Sequence, residues 1–331
     1  MIVESKFKPL WYLKNPHLQT LLANLIHPAF PHIRYETVDL PDGDNLQLAR
    51  GTASGKNTVL ILHGLEGSLK SSYAQRLINS CNEQGIPVVF MFFRGCNGTP
   101  NKQIRSYHSG ETGDLRAVID YLKQQGIERI ALVGYSLGGN VVLKYMGERK
   151  TDASVVCASA VSVPLLLDIC ASRMNRGFSR IYQYALLQRL IRKVQQKKSL
   201  LLADGYTTPA ETLKTFVEFD NAFTAPTHGF KDAQQYYQRC SSRQFLAGIN
   251  KPTLLIHSLD DPFMTTAVIP AEHELAPQVT LELSLQGGHV GFIGGRILKP
   301  VFWLEPRIIE FLQREFLSSQ CANFGSTRPD V

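Results

Sequence analysis

Ile130-Ala-Leu-Val-Gly-Tyr-Ser-Leu-Gly-Gly-Asn-Val-Val-Leu-Lys-Tyr-Met146 is the stretch that decides how the rest of the chain is read. Residues 130–133 form a short, continuously apolar run, as a strand buried on both faces should. Residues 140–146 read as a helix, and Gly134-Tyr-Ser-Leu-Gly138 joins the two without a spacer. In a strand, Gly-x-Ser-x-Gly, helix arrangement the serine occupies a sharp turn that lifts its hydroxyl to the helix N-terminus, where the dipole favours developing negative charge. Small residues are needed two before and two after it, because a Cβ there would meet neighbouring backbone. As a bare string the motif is weak, since roughly one chain of this kind in ten carries it by chance. Its context makes Ser136 a candidate nucleophile rather than a glycine-rich packing turn.

Working outward, other apolar runs lie at 58–62, 88–92 and 154–161, with helix-like stretches at 70–84 and 113–125 between them. That alternation is the pattern of a mostly parallel sheet flanked by helices. Asp114 sits near the start of the second helix, where a carboxylate suits the dipole. Residues 34–40 and 45–50 flank Pro41-Asp-Gly-Asp44, a hairpin signal. Regularity breaks from about 164 to 248, which has helical stretches and no convincing strand. Strand pattern returns at 253–256 and 279–285, a closing helix spans 303–317, and the tail from Ser318 reads as loose. The expectation is one α/β domain over 1–331, interrupted by a helical cap insertion at about 164–248.

A serine needs a base. His289 lies in Gln286-Gly-Gly-His-Val-Gly-Phe292, a glycine-rich loop after a late strand, and is the candidate among nine histidines. His63, His108, His228, His257 and His273 are the rivals, and His257 reads equally well as a core histidine. The imidazole needs a carboxylate to fix its tautomer. Asp260-Asp261-Pro262 follows the 253–256 strand at its C-terminal end, where ligand chemistry collects in open parallel sheets. Asp261 is the chosen acid, with Asp260 capping the turn and Asp168 a weaker alternative. His63-Gly-Leu-Glu-Gly67 follows the 58–62 strand, so the backbone N–H groups of Leu65 and Leu137 are the candidate oxyanion donors. His63 itself reads as structural.

These residues resemble the α/β-hydrolase superfamily, and the detailed strings resemble its YheT-like branch of esterase and lipase-like hydrolases. The matching strings are Asn15-Pro-His-Leu-Gln-Thr20, His63-Gly-Leu-Glu-Gly67, Phe93-Arg-Gly-Cys-Asn-Gly98 and Tyr107-His-Ser-Gly110. Gly134-Tyr-Ser-Leu-Gly-Gly-Asn140, Asp260-Asp-Pro-Phe-Met264 and Gly287-Gly-His-Val-Gly-Phe-Ile-Gly-Gly295 complete the set. The resemblance implies an α/β-hydrolase fold and a Ser–Asp–His carboxylic ester hydrolase with a helical cap and no cofactor. It implies short- to medium-chain acyl or lipid esters as the substrate class. In that branch the position matching Asp260 can be Asn, which supports Asp261 as the acid. Thioesterase and amidase chemistry use the same machinery, and an idle hydrolase-fold binding protein is the alternative from another class.

Composition narrows the partners. Of 331 residues, 44% are hydrophobic and 19% charged, ordinary for a globular chain and too apolar for a disordered one. No run reaches the roughly 18 apolar residues that cross a bilayer, and the first residues lack a secretory apolar core. The six cysteines are scattered with no CxxC pair, and no His/Asp/Glu cluster has metal-ligand spacing, so neither disulfides nor a metal is expected. A reducing cytoplasm is the expected setting. The net charge of +7 is local: residues 169–203 hold eight basic residues and no Asp or Glu, and the remainder is near neutral. Nucleic acid is therefore not an expected partner. The basic helix at 186–198, with Leu186, Leu187, Leu190, Ile191 and Val194 on one face, has three readings: contact with an anionic membrane, attraction of anionic substrates, or a solvated charged face on a cap helix.

Overall fold

In the computed structural model, which describes residues 1–148, 153–296 and 299–321 (316–321 by backbone alone), the apolar runs become the middle of one sheet. Among the described residues nine strands pair in it. They are β1 (Ile2–Glu4), β2 (Arg34–Asp39), β3 (Asn45–Arg50), β4 (Asn57–Leu62), β5 (Val88–Met91), β6 (Arg129–Tyr135), β7 (Val155–Val161), β8 (Thr253–Ser258) and β9 (Val279–Ser284). Their order is β1-β9-β8-β7-β6-β4-β5-β3-β2. Every pairing from β1 to β5 is parallel. The expected hairpin, β2 with β3, adds antiparallel strands at one edge. A separate hairpin joins β10 (Ile293–Arg296) to β11 (Lys299–Phe302).

Strand alternation sends side chains to two cores. Val59 and Ile61 pack with Ala74 and Leu77 of α2 (Ser72–Glu83) and with the C-terminal helix Leu304–Cys321. Leu60 and Leu62 point the other way, to Leu115 and Ile119 of α3 (Thr112–Gln124) and Val142 of α4 (Leu137–Glu148). Each fully buried aliphatic side chain contributes roughly 1.5–3 kcal/mol, so these strands are the stable scaffold. The mostly parallel sheet flanked by helices is as expected. Besides the β10–β11 hairpin, β1 and one helix escape the sequence reading. β1 is only three residues long. The helix α1 (Pro16–Leu25) precedes α2; its signals, an Asn15 side chain capping His17 and Leu18 and a proline in its first turn, are local ones.

From Pro164 to Gly248 no strand occurs among the described residues. The segment begins with α5 (Leu167–Met174), α6 (Ser179–Gln196) and α7 (Lys198–Ala203). Because it follows β7, it rises from the same edge of the sheet as the loops after β4, β6, β8 and β9. The tail expected to be loose from Ser318 is instead helical backbone through Cys321, and 322–331 lie outside the described residues. No helix among the described residues is long and apolar enough to cross a membrane. Cys81, Cys96, Cys157, Cys170 and Cys240 are buried and form no disulfide.

Candidate active site

β6 delivers Ser136 to the sheet edge in a left-handed backbone conformation, φ 51°, which a non-glycine residue holds only when its surroundings force it. The glycines around it supply that force. A Cβ on Gly134 would lie 2.5 Å from the Gly138 carbonyl oxygen, and one on Gly138 would lie 2.5 Å from the Leu62 and His63 carbonyl oxygens. α4 therefore starts pressed against the end of β4, and only glycine permits it. The Ser136 side chain is left half-buried at the edge.

His289 is brought to it from β9. Its Nε2 lies 3.0 Å from Ser136 Oγ, and its Nδ1 lies 2.8 Å from Asp261 Oδ2. Asp261 is buried, and its Oδ1 accepts from the Phe263 N–H at 2.8 Å. The Phe263 ring stacks on the imidazole at 4.0 Å and 8°, closing one face of it. A carboxylate accepts, so Nδ1 carries the proton and Nε2 is left to accept from the serine hydroxyl. The structure thus brings together the three side chains that the sequence reading singled out. Among the described residues none of the alternatives bonds Ser136, although His108 and His228 line the same cavity. Asp168 and His273 are exposed, and His257 is a buried side chain whose Nδ1 has no partner, held down to about 4 by burial. Asp260 points elsewhere: its Oδ1 accepts from the Gly288 N–H at 2.9 Å, and burial raises its pKa.

The His289 loop is strained, with Val290 at φ 55° and Phe292 at φ 47°, and its backbone is held by side chains far away in sequence. Thr20 Oγ1 accepts from His289 N at 2.9 Å, and Ser162 Oγ accepts from Val290 N at 3.0 Å. Ser258 Oγ donates to the Gly288 carbonyl at 2.7 Å. Gln19, fully buried, accepts from Ile293 N and donates to the Ile293 and Leu13 carbonyls. Sequence reasoning missed these positioning residues, although Gln19 and Thr20 lie in one of the family strings. The fit of α1 to the loop is tight: at Gly288, φ 61°, a Cβ would stand 2.5 Å from the Pro16 carbonyl oxygen and 2.7 Å from Thr20 Oγ1. Gly288→Ala should therefore displace His289 and lower kcat by about a hundredfold, the usual cost of a misplacement near 1 Å. Steady-state kinetics on a soluble ester checks this, and a variant with unchanged kcat would show that the loop is not held as described.

The loop after β4 forms the opposite wall. Gly64 abuts Ser136, with a hypothetical Cβ 3.2 Å from the serine Cβ. His63 is fully buried and kept neutral by burial, which lowers it to about 3. Its Nε2 accepts from Phe93 N at 3.1 Å, so Nδ1 donates to the Gly64 carbonyl at 2.7 Å. Glu66, at φ 54°, donates its N–H to Tyr107 Oη at 2.8 Å, and its carboxylate accepts from Tyr107 Oη and from Lys193 Nζ. Among the described residues, no protein acceptor takes the Leu65 or Leu137 N–H.

Lys193 requires a correction to the basic helix expected at 186–198. The helix runs Ser179–Gln196, and its Lys193, together with Lys197 at its C-cap, faces inward rather than lying on a solvated face. Lys193 Nζ bonds Glu66 at 2.8 Å and Cys96 Sγ at 2.9 Å, tying the insertion to the loop after β4. Lys197 is buried, its Nζ held by Asn101, Ser106 and the carbonyls of Gln103 and Ile104, and burial lowers its ammonium to about 8. Arg189, Arg192 and Lys198 stay exposed. The apolar face of the amphipathic pattern is the inner one: Leu187 and Ile191 are buried, and Leu186, Leu190 and Val194 half-buried.

Between the sheet edge and the 164–248 segment lies a cavity of about 170 Å³ that opens to solvent. Ser136 and His289 stand in its wall, and Leu186, Leu190, Val194, Leu201, Phe219 and Phe223 make much of the rest. No group of three or more His, Cys, Asp or Glu among the described residues could hold a metal ion.

A family model described as alpha/beta hydrolase fold matches residues 57–295. The protein named "Putative esterase YheT" from Escherichia coli (strain K12) is 41% identical over 328 residues, covering 96% of this chain and 96% of its own. "Phospholipase ABHD3" of Mus musculus is 28% identical over 330 residues, covering 96% of this chain and 78% of its own. "Monoacylglycerol lipase" of Saccharomyces cerevisiae is 30% identical over 250 residues, 73% of this chain and 56% of its own. Among solved structures, the Pyrococcus furiosus esterase Pf2001 superposes with a TM-score of 0.56 at 17% identity, covering 95% of this chain and 98% of its own, a likeness of fold.

Proposed function

This chain belongs to the α/β-hydrolase family, in its YheT-like branch, and is an esterase-type hydrolase; from that premise we propose that it cleaves carboxylic esters at Ser136 through an acyl-enzyme. The observation that carries the reading is His289 bridging Ser136 at 3.0 Å and Asp261 at 2.8 Å in the wall of an apolar cavity. His289 Nε2 takes the hydroxyl proton as Ser136 Oγ attacks the acyl carbon. Asp261 holds Nδ1–H and steadies the imidazolium that forms. The Leu65 and Leu137 N–H groups receive the oxyanion, and each such donor typically contributes about 2.7–4 kcal/mol to the transition state. His289 then returns the proton to the departing alkoxide, and the C–O ester bond breaks. A water, deprotonated by the same nitrogen, releases the acid and restores the serine.

The segment 164–248 acts in this reading as a cap on a single domain, its Leu and Phe side chains favouring short- to medium-chain acyl groups. The relatives' names, monoacylglycerol lipase and phospholipase, point to the same lipid-related class. Cofactor and metal have no part in the proposed steps. The buried, unpaired cysteines support a reducing, cytoplasmic setting.

A series of p-nitrophenyl esters of increasing acyl length, run beside a thioester and an amide of one acyl group, tests the reading. Each added methylene that the cavity buries should raise kcat/KM about fourfold, until the cavity is filled. A flat series would remove the acyl site from the cavity. Turnover of the thioester alone would transfer the activity to thioester cleavage.

A further inference from the structure

α1 is folded inside out. Its buried side chains are the polar Gln19 and Thr20, with Ala23, whereas Leu18, Leu21 and Leu25 stand in solvent at 43%, 37% and 72% exposure. Gln19 and Thr20 are consumed in holding the His289 loop, so Leu22 alone of the helix's leucines packs inward, half-buried, and Leu18, Leu21 and Leu25 turn outward. The three lie at i, i+3 and i+7, one stripe of the helix. Trp11 before the helix and Phe30 after it are also exposed.

The stripe does not stand alone. His17, on the same helix, packs against Phe178 at 4.5 Å and Tyr182 at 5.8 Å, at the start of α6. There Phe178, Ile181 and Tyr184 are exposed, again at helical spacing. Tyr182 continues to Phe263 at 4.9 Å, and Phe263 to His289. An apolar ridge from two elements therefore adjoins the active-site wall. The segments that carry it hold one sign of charge. Neither 5–35 nor 169–203 contains an Asp or Glu, while Lys6, Lys8, Lys14, Arg173, Arg176 and Arg180 are among their cations.

We propose that this ridge, α1 with the first turns of α6, is the surface by which the protein rests on an anionic lipid bilayer. Exposed apolar side chains backed by cations are what an interfacial helix presents, the chains entering the acyl boundary and the cations meeting lipid phosphates. A second copy of the chain is a poor occupant, because a two-fold contact would set these acid-free segments against each other. The surface differs from the one expected at 186–198. Lys193 and Lys197 are turned inward, and Arg189 and Arg192 only extend the positive rim. The inference goes beyond the ester-cleaving reading and is tested without it, by binding alone.

The purified full-length protein should co-sediment with vesicles of phosphatidylglycerol and phosphatidylcholine in equal parts, and less with phosphatidylcholine alone. Added salt should weaken the binding. Leu21→Ser with Leu25→Ser should reduce partitioning roughly tenfold or more, from the apolar area withheld. Arg176→Glu with Arg180→Glu should do so by a similar factor. Both pairs should hydrolyse p-nitrophenyl acetate at the parent rate. Three results would overturn the proposal: no binding to the anionic vesicles, parental binding by the leucine pair, or a parent dimer that the leucine pair converts to monomer. The last would assign the ridge to a second copy.

Discussion

Ser136→Ala is expected to lower kcat on a p-nitrophenyl ester by about 10⁶ and to abolish labelling by a fluorophosphonate. The size follows from the chemistry being removed rather than weakened. Alanine leaves His289 and Asp261 in place but offers no oxygen to attack the acyl carbon. What remains in the proposed mechanism is substrate binding and the proposed oxyanion donors, which in such sites sustain roughly 10³–10⁴ over the rate in water. The fold should be unaffected, because the Ser136 hydroxyl supports no packing and its backbone is held by Gly134 and Gly138. Intact mass after labelling separates the outcomes. A fluorophosphonate adduct that survives on the alanine variant would place the nucleophile elsewhere.

The second large effect separates two adjacent acids. Asp261→Asn should lower kcat by about 10⁴, while Asp260→Asn should change it by no more than about threefold. An amide at 261 can present an N–H to His289 Nδ1, which forces the proton onto Nε2 and turns a hydrogen towards Ser136 instead of a lone pair. At 260 the relevant bond is the one accepted from Gly288 N at 2.9 Å, and the amide oxygen of asparagine accepts it equally well. The other Asp260 oxygen is buried without a partner, and burial already disfavours the charge there, so asparagine costs little. A large loss at 260 with none at 261 would exchange their roles.

Much of this was legible in order along the chain, for a local reason. Strands buried on both faces read as continuous apolar runs, and a residue after a run lies at a sheet edge, so Ser136, Asp261, His289 and the 63–67 loop could each be assigned to a strand end. The family strings added weight to the same positions. What escaped was set by contacts across large sequence separations. Gln19 and Thr20 read as ordinary polar residues, yet they hold a loop some 270 residues away, at separations of 274 and 269. Lys193 sits in a run of basic residues that periodicity assigns to solvent, yet its ammonium closes on Glu66 and Cys96, 127 and 97 residues distant.

The amino-acid order alone determined which segments become strands and helices, and where glycine is unavoidable. Those outcomes depend on side-chain periodicity and backbone sterics within a few residues. Only the tertiary structure decided which polar groups face inward. A buried donor or acceptor must be paired, and its partner is chosen by whatever the packed sheet brings within about 3 Å. For α1 that rule reversed the hydropathy of the helix, burying its glutamine and threonine and leaving Leu18, Leu21 and Leu25 in water.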